Sequence, residues 1–93
     1  MKNSLITKKL AKGDILEANS WYENKKKGLG KEFLNELEDI YNRIQNNPNQ
    51  FPVINHLYRK AVLRKFPFIV FFIIEEDKIY VIAVFHVSRN PNI

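Results

Sequence analysis

Apolar positions along the chain change their spacing twice, and the changes mark out the elements. Ser4 to Thr7 reads as a short strand, with Thr7 as the N-cap of a following helix, its hydroxyl accepting a first-turn N–H. From Lys8 to Lys26 the pattern is helical: Ala11, Ile15, Ala18 and Tyr22 recur at spacings of 4, 3 and 4, with Trp21 alongside. Gly13 weakens this helix by up to ~1 kcal/mol relative to Ala. Lys25, Lys26 and Lys27 suit the negative end of the helix dipole, and Gly28 suits the position just past it. A second helix carries a stronger stripe: Leu29, Phe33, Leu34, Leu37, Ile40, Tyr41 and Ile44. Asn46-Asn47-Pro48 ends it, because the residue before a proline disfavours helical backbone. Only Gly28-Leu29-Gly30 joins the helices, which predicts a tight antiparallel hairpin.

After Pro52 the period becomes that of a strand. Leu57 to Lys65 alternates, with Arg59, Ala61, Leu63 and Lys65 on one face and Tyr58, Lys60, Val62 and Arg64 on the other. Phe66-Pro67 marks a turn. Phe68 to Ile74 is apolar on both faces, as in a central strand. Glu75-Glu76-Asp77-Lys78 is a polar hairpin connection. Ile79 to Val87 is a further strand, with Tyr80, Ile82, Val84 and His86 sharing a face. The order predicts one α+β domain over residues 1–93: an N-terminal strand, an antiparallel helix hairpin, then a three-stranded antiparallel meander. The hairpin should cover one face of a four-stranded sheet. The other face should stay partly open, lined by basic side chains of the strand 57–65.

Composition narrows the class. With 45% apolar and 13% aromatic residues the chain is a folding sequence, not a disordered one. It has no cysteine for a disulfide scaffold, and no His/Asp/Glu cluster at metal-ligand spacing. The longest apolar run, Phe68 to Ile74, falls far short of the ~18 residues of a membrane span. The N-terminus has no apolar stretch of secretory type. The expectation is a cytoplasmic protein with no membrane partner and no cofactor. The net charge of +5 favours an anionic partner without choosing one. Its cations sit in the first and last thirds, whereas Glu32, Glu36, Glu38 and Asp39 make the second helix acidic.

The ordered set of motifs resembles a known family. Ile15-Leu16-Glu17-Ala18, Trp21-Tyr22-Glu23 and Gly28-Leu29-Gly30-Lys31-Glu32-Phe33 are similar to the helix hairpin of the RelE/ParE superfamily of type II toxins. Asn47-Pro48, Phe51-Pro52, Arg59 and the run Arg64-Lys65-Phe66-Pro67-Phe68 resemble its basic strand and turn, and His86-Val87-Ser88-Arg89-Asn90-Pro91 resembles its C-terminal end. The resemblance spans about residues 4–91 and implies a plasmid-stabilisation type of toxin. Such a toxin inhibits growth, is neutralised by a cognate antitoxin whose flexible C-terminal segment wraps it, and meets DNA only through that antitoxin. RelE-like members are ribosome-dependent mRNA endonucleases, and ParE-like members act on DNA gyrase. The H-x-x-R-N-P ending is closer to the ParE-like side. No tyrosine follows Tyr80, and the strand 57–65 contains no acid, both departures from RelE-like nucleases.

Were the chain an enzyme, it would be a metal-independent mRNA endoribonuclease. Cleavage through the 2′-OH needs a base, an acid and cations that stabilise charge on phosphorus. Arg59, Arg64, His86 and Arg89 are the candidates, His86 for proton transfer. Strand alternation sets Arg59 and Arg64 on opposite faces, which works against a single site. His86 also reads as a strand-end imidazole bonded to a nearby carbonyl, and Arg89 as a side chain pinning the C-terminal tail. The candidate partner-binding set is Arg59, Lys60, Arg64, Lys65, Phe66 and Phe68, on and beside the basic strand.

Overall fold

The computed structural model describes residues 3–88. In chain order the elements are β1 (Ser4–Thr7), α1 (Lys9–Lys25), α2 (Leu29–Asn46), a 3-10 turn at Pro48–Gln50, β2 (Val53–Asn55), β3 (Tyr58–Val62), β4 (Phe68–Glu75) and β5 (Lys78–His86). They build one sheet in the order β1-β5-β4-β3-β2, with β1 parallel to β5 and every other pairing antiparallel. The expected strand, helix hairpin and antiparallel meander are all present. The meander has one more strand than the sequence pattern predicts, because β2 is three exposed residues long. That is too short for alternation to register.

The helix hairpin lies on one face of the sheet. Ala11, Ala18 and Tyr22 of α1 and Phe33, Leu37, Ile40 and Ile44 of α2 pack on Val70, Phe72, Ile79, Val81 and Val84. The helices close on each other through Gly30, where a Cβ would meet the Asn19 carbonyl oxygen at 2.9 Å. Gly28 takes φ +90, the left-handed region that glycine enters without strain. Glu23 completes the junction. Its carboxylate accepts the N–H groups of Gly28 and Gly30, both at 3.0 Å, at the positive end of the α2 dipole.

Two sequence expectations change. Thr7 does not cap α1; it is the last residue of β1, opposite Val81, and the N-cap is Lys8. As a strand residue facing the helices, Thr7 directs its hydroxyl to the Tyr41 phenol at 3.2 Å, and the Lys8 N–H goes to the Val81 carbonyl. The strand expected over 57–65 ends at Val62, and the chain bends from Leu63 to Pro67.

A β-bulge makes the third change. Phe71 pairs with Ala83 but Phe72 pairs with Val81, so β5 carries Ile82 as an extra residue. The β5 residues of the core cluster accordingly step from Ile79 to Val81 and then to Val84. Val84 and His86 turn to the helix side, while Tyr80 keeps to the other. The single face expected for Tyr80, Ile82, Val84 and His86 does not exist, because one extra residue inverts a period-2 pattern.

Candidate functional site

Among the described residues the candidate cations do not form one cluster. Arg59 follows the inward alternation of Ala61, which is buried, and its guanidinium donates to the Phe51 carbonyl at 2.7 Å and the Asn49 carbonyl at 3.4 Å. It ties the start of β3 to the loop that precedes β2. Lys60 lies on the opposite face. Arg64 and Lys65 sit on the bend after β3, where their backbone N–H groups donate to both oxygens of Glu36 at 2.6–3.2 Å. Glu36 thereby fastens the basic bend to α2, beside a groove of about 450 Å³ lined by Ile40, Arg43 and Val62. The side chains of Lys60, Arg64 and Lys65 make no ion pair among the described residues. They remain available to an anionic partner.

His86 stands apart from Arg59. Arg59 is opposite Phe72 on β4 and His86 is opposite Phe68, on the other side of the same strand. Four residues at ~3.3 Å and two strand spacings of ~4.8 Å place their Cα atoms roughly 16 Å apart. Arg64 starts the bend at the His86 end of the sheet, but the aromatic cluster of Tyr22, Phe33, Phe66 and Phe68 occupies the space under the helices there, with ring centroids 4.8–6.1 Å apart. Phe66 and Phe68, expected as partner contacts, are buried in that cluster. The F-P-F bend needs an apolar anchor, and these rings supply it. Arg89 lies outside the described residues.

His86 instead borders a cleft of about 230 Å³ between α1 and β5, with Asp14, Glu17, Ala18, Phe68 and Val84. Its ring meets Phe68 edge-on at 5.1 Å, and Nδ1 accepts the Ser88 N–H at 3.1 Å. An accepting Nδ1 leaves the proton of the neutral ring on Nε2. Asp14 accepts the Val84 N–H at 2.9 Å. β1 has ended opposite Val81, so this carboxylate of α1 supplies the acceptor that a neighbouring strand no longer does.

Burial pushes the Asp14 carboxyl above its ordinary range; the Val84 N–H opposes the rise and the charge of Glu17 adds to it. The folded state therefore holds the Asp14 proton more tightly than the unfolded state, and ionised Asp14 costs stability at neutral pH. That cost fades as pH falls through the folded-state pKa and is gone below the unfolded value of 3.8. In paired urea melts, wild type should therefore gain on Asp14→Asn when pH drops from about 7 to about 3.5. A gap that stays constant, or moves the other way, would show the Val84 bond outweighing burial.

The sheet face away from the helices is apolar rather than basic. Ile69, Phe71 and Ile73 of β4 alternate with the buried Phe68, Val70 and Phe72. Across the strands Phe71 stacks edge-on against Phe85 at 5.5 Å, Ile73 pairs with Tyr80, and Ile69 pairs with Val62. Ile6 and Val62 at its margins are exposed. Lys8, whose ammonium lies 5.3 Å from the Tyr80 ring centroid, and Lys60 set cations at its edges. Sequence reasoning found the open face but misassigned its chemistry, because it took β3 as the whole face. The longer β4 and β5 dominate it, and their two-sided apolar runs were the available signal.

Among the described residues no group of three or more His, Cys, Asp or Glu side chains is placed to hold a metal ion. No helix among them is long and apolar enough to cross a membrane.

A family profile described as the ParE toxin of the type II toxin-antitoxin system, parDE, matches residues 5–91. Among solved structures, a chain from the chromosomal ParDE TA system of P. aeruginosa superposes with a TM-score of 0.82 at 18% identity, covering 94% of this chain and 98% of that one. At that identity the likeness is one of fold. No curated protein matches the chain by sequence.

Proposed function

From the membership of this chain in the ParE toxin family of type II toxin–antitoxin systems, we propose that it inhibits growth by binding a protein target, DNA gyrase, and is neutralised by a cognate antitoxin in the cytoplasm. The observation that supports a binding mechanism over RNA cleavage is the scatter of the candidate catalytic groups. Arg59 directs Nη1 to two backbone carbonyls, and the His86 Cα lies about 16 Å from its own on the far side of β4, facing α1. A general acid and a phosphate-binding cation must share one scissile phosphate, and this separation disfavours Arg59 and His86 as that pair.

The antitoxin's place is the open sheet face. A segment with an apolar stripe would cover Ile69, Phe71, Tyr80 and Phe85, and acidic residues at its margins would meet Lys60, Arg64 and Lys65. Binding there protects the fold by mass action.

The deciding experiment runs two assays side by side on the purified toxin: gyrase supercoiling, and coupled translation with a transcript-cleavage readout. Supercoiling should be inhibited, transcripts should stay intact, and His86→Ala should remain as toxic as wild type. Loss of toxicity by 10²–10⁴-fold on His86→Ala, on the order expected of a general acid or base, together with cut transcripts, would establish the RelE-like nuclease instead.

A further inference from the structure

The two-stranded ribbon β2–β3 projects apolar side chains that serve no part of the core. Val53, Ile54, Leu57 and Tyr58 are 51%, 45%, 68% and 42% exposed, and none belongs to the buried cluster. They fall within six consecutive residues that include no Lys, Arg, Asp or Glu. From Ile44 to Tyr58 the chain carries no Lys, Arg, Asp or Glu, and His56 is the one basic side chain at this tip. Large exposed apolar side chains gathered at one hairpin end mark an interaction site.

The ribbon is also held ready. Its base is fixed by the Arg59 bonds to the Phe51 and Asn49 carbonyls and by the Lys60 N–H to the Pro52 carbonyl at 3.2 Å. Its two-residue turn, between the paired Asn55 and Tyr58, holds His56 at φ 51. A tip fixed before binding loses little conformational entropy on docking.

Resting on the toxin reading above, we propose that this ribbon is the element that seats in the inhibited protein, and that it inserts into an apolar cleft with an acidic rim. Charge argues for that occupant. Nucleic acid requires a cluster of cations at the contact, and the tip carries no Lys or Arg. An anionic membrane favours a basic collar behind an apolar loop, but Arg59 is turned inward to carbonyls, leaving Lys60 as the cation of the ribbon free to pair with a rim carboxylate. The antitoxin surface centres on the open face of β4 and β5, so target and antitoxin share Lys60, opposite Phe71, but otherwise engage different side chains.

The test uses the full-length chain with Leu57→Asp and, separately, Ile54→Asp. Both positions are exposed, and thermal melts should match wild type. Growth inhibition and inhibition of gyrase supercoiling should weaken at least tenfold, while affinity for the antitoxin stays within twofold. Full toxicity of both variants overturns the inference and leaves the gyrase reading standing. A matching loss of antitoxin affinity also overturns it, by assigning the ribbon to the antitoxin. Binding of wild type but not Leu57→Asp to phosphatidylglycerol vesicles, with gyrase inhibition unchanged, overturns it in favour of a membrane. A wild-type chain without toxicity sinks the growth-inhibitor reading and this inference together.

Discussion

Phe33→Ala should lower the stability of the folded chain by about 3–5 kcal/mol, the range for removing a fully buried aromatic ring. Phe33 has no exposed surface, and its ring meets Tyr22, Phe66 and Phe68 at centroid distances of 5.2–5.6 Å. Truncation removes a ring that meets all three others and leaves a cavity beneath the helix hairpin. Those neighbours come from α1, from the bend after β3 and from β4, so no single element can move to fill it. A domain of this size has about 5–15 kcal/mol in total, so the variant sits near the edge of folding. At roughly 4–8 °C per kcal/mol, its melting temperature should fall by at least about 12 °C. Leu34→Ala is the control. Leu34 is exposed, and its truncation should cost less than about 1 kcal/mol. Equal losses in thermal or urea melts would show that the aromatic cluster does not carry the core.

The same residues explain what could be read from the sequence. The stripe Phe33, Leu37, Ile40 and Ile44 is buried as its spacing predicts, because a helix keeps its period regardless of what it packs on. The antiparallel meander and the hairpin between the helices were legible because short connections leave few topologies. The facing of β5 was not. Nothing in Ile79 to Val87 marks Ile82 as the bulged residue, since every neighbour is apolar or small, and a bulge is set by tertiary fit. Its consequence is large, because it sends His86 toward Asp14 instead of toward the open face. Leu34 is a smaller instance; it lies on the predicted stripe yet is exposed.

The cations were legible as a set but not as individuals. Alternation placed Arg59 with Ala61 and Leu63 correctly, and that placement is why it is spent on backbone carbonyls. The strand's end at Val62 removes Arg64 and Lys65 from either face. Their positions depend on Glu36, whose carboxylate grips two successive N–H groups 28 and 29 residues away in sequence. A local pattern contains no sign of such a long-range bond. The apolar character of the open face was hidden by the same habit of reading one strand at a time.

Phe71→Asp should weaken antitoxin binding by at least about 30-fold, the scale of a central aromatic contact worth 2 kcal/mol or more. Phe71 stands at the middle of the open face, between Lys60 on β3 and Ala83 on β5, with its ring against Phe85. A carboxylate there acts in two ways: it removes the apolar contact, and it repels the acidic flanks that Lys60, Arg64 and Lys65 would attract. The fold should survive, because the side chain points away from the helices and its strand neighbours Val70 and Phe72 hold the core. If the ribbon meets the target as proposed, toxicity should persist and escape neutralisation, because its apolar residues 53–58 lie beyond the first β3–β4 pair, Arg59 and Phe72. The measurement is a titration of antitoxin against wild type and variant by calorimetry, with co-expression in cells as the functional readout. Undiminished affinity would remove the open face as the antitoxin's seat and direct attention to the groove between α2 and the basic bend. Loss of both toxicity and antitoxin binding in a folded variant would mean that the two partners share this face and compete for it.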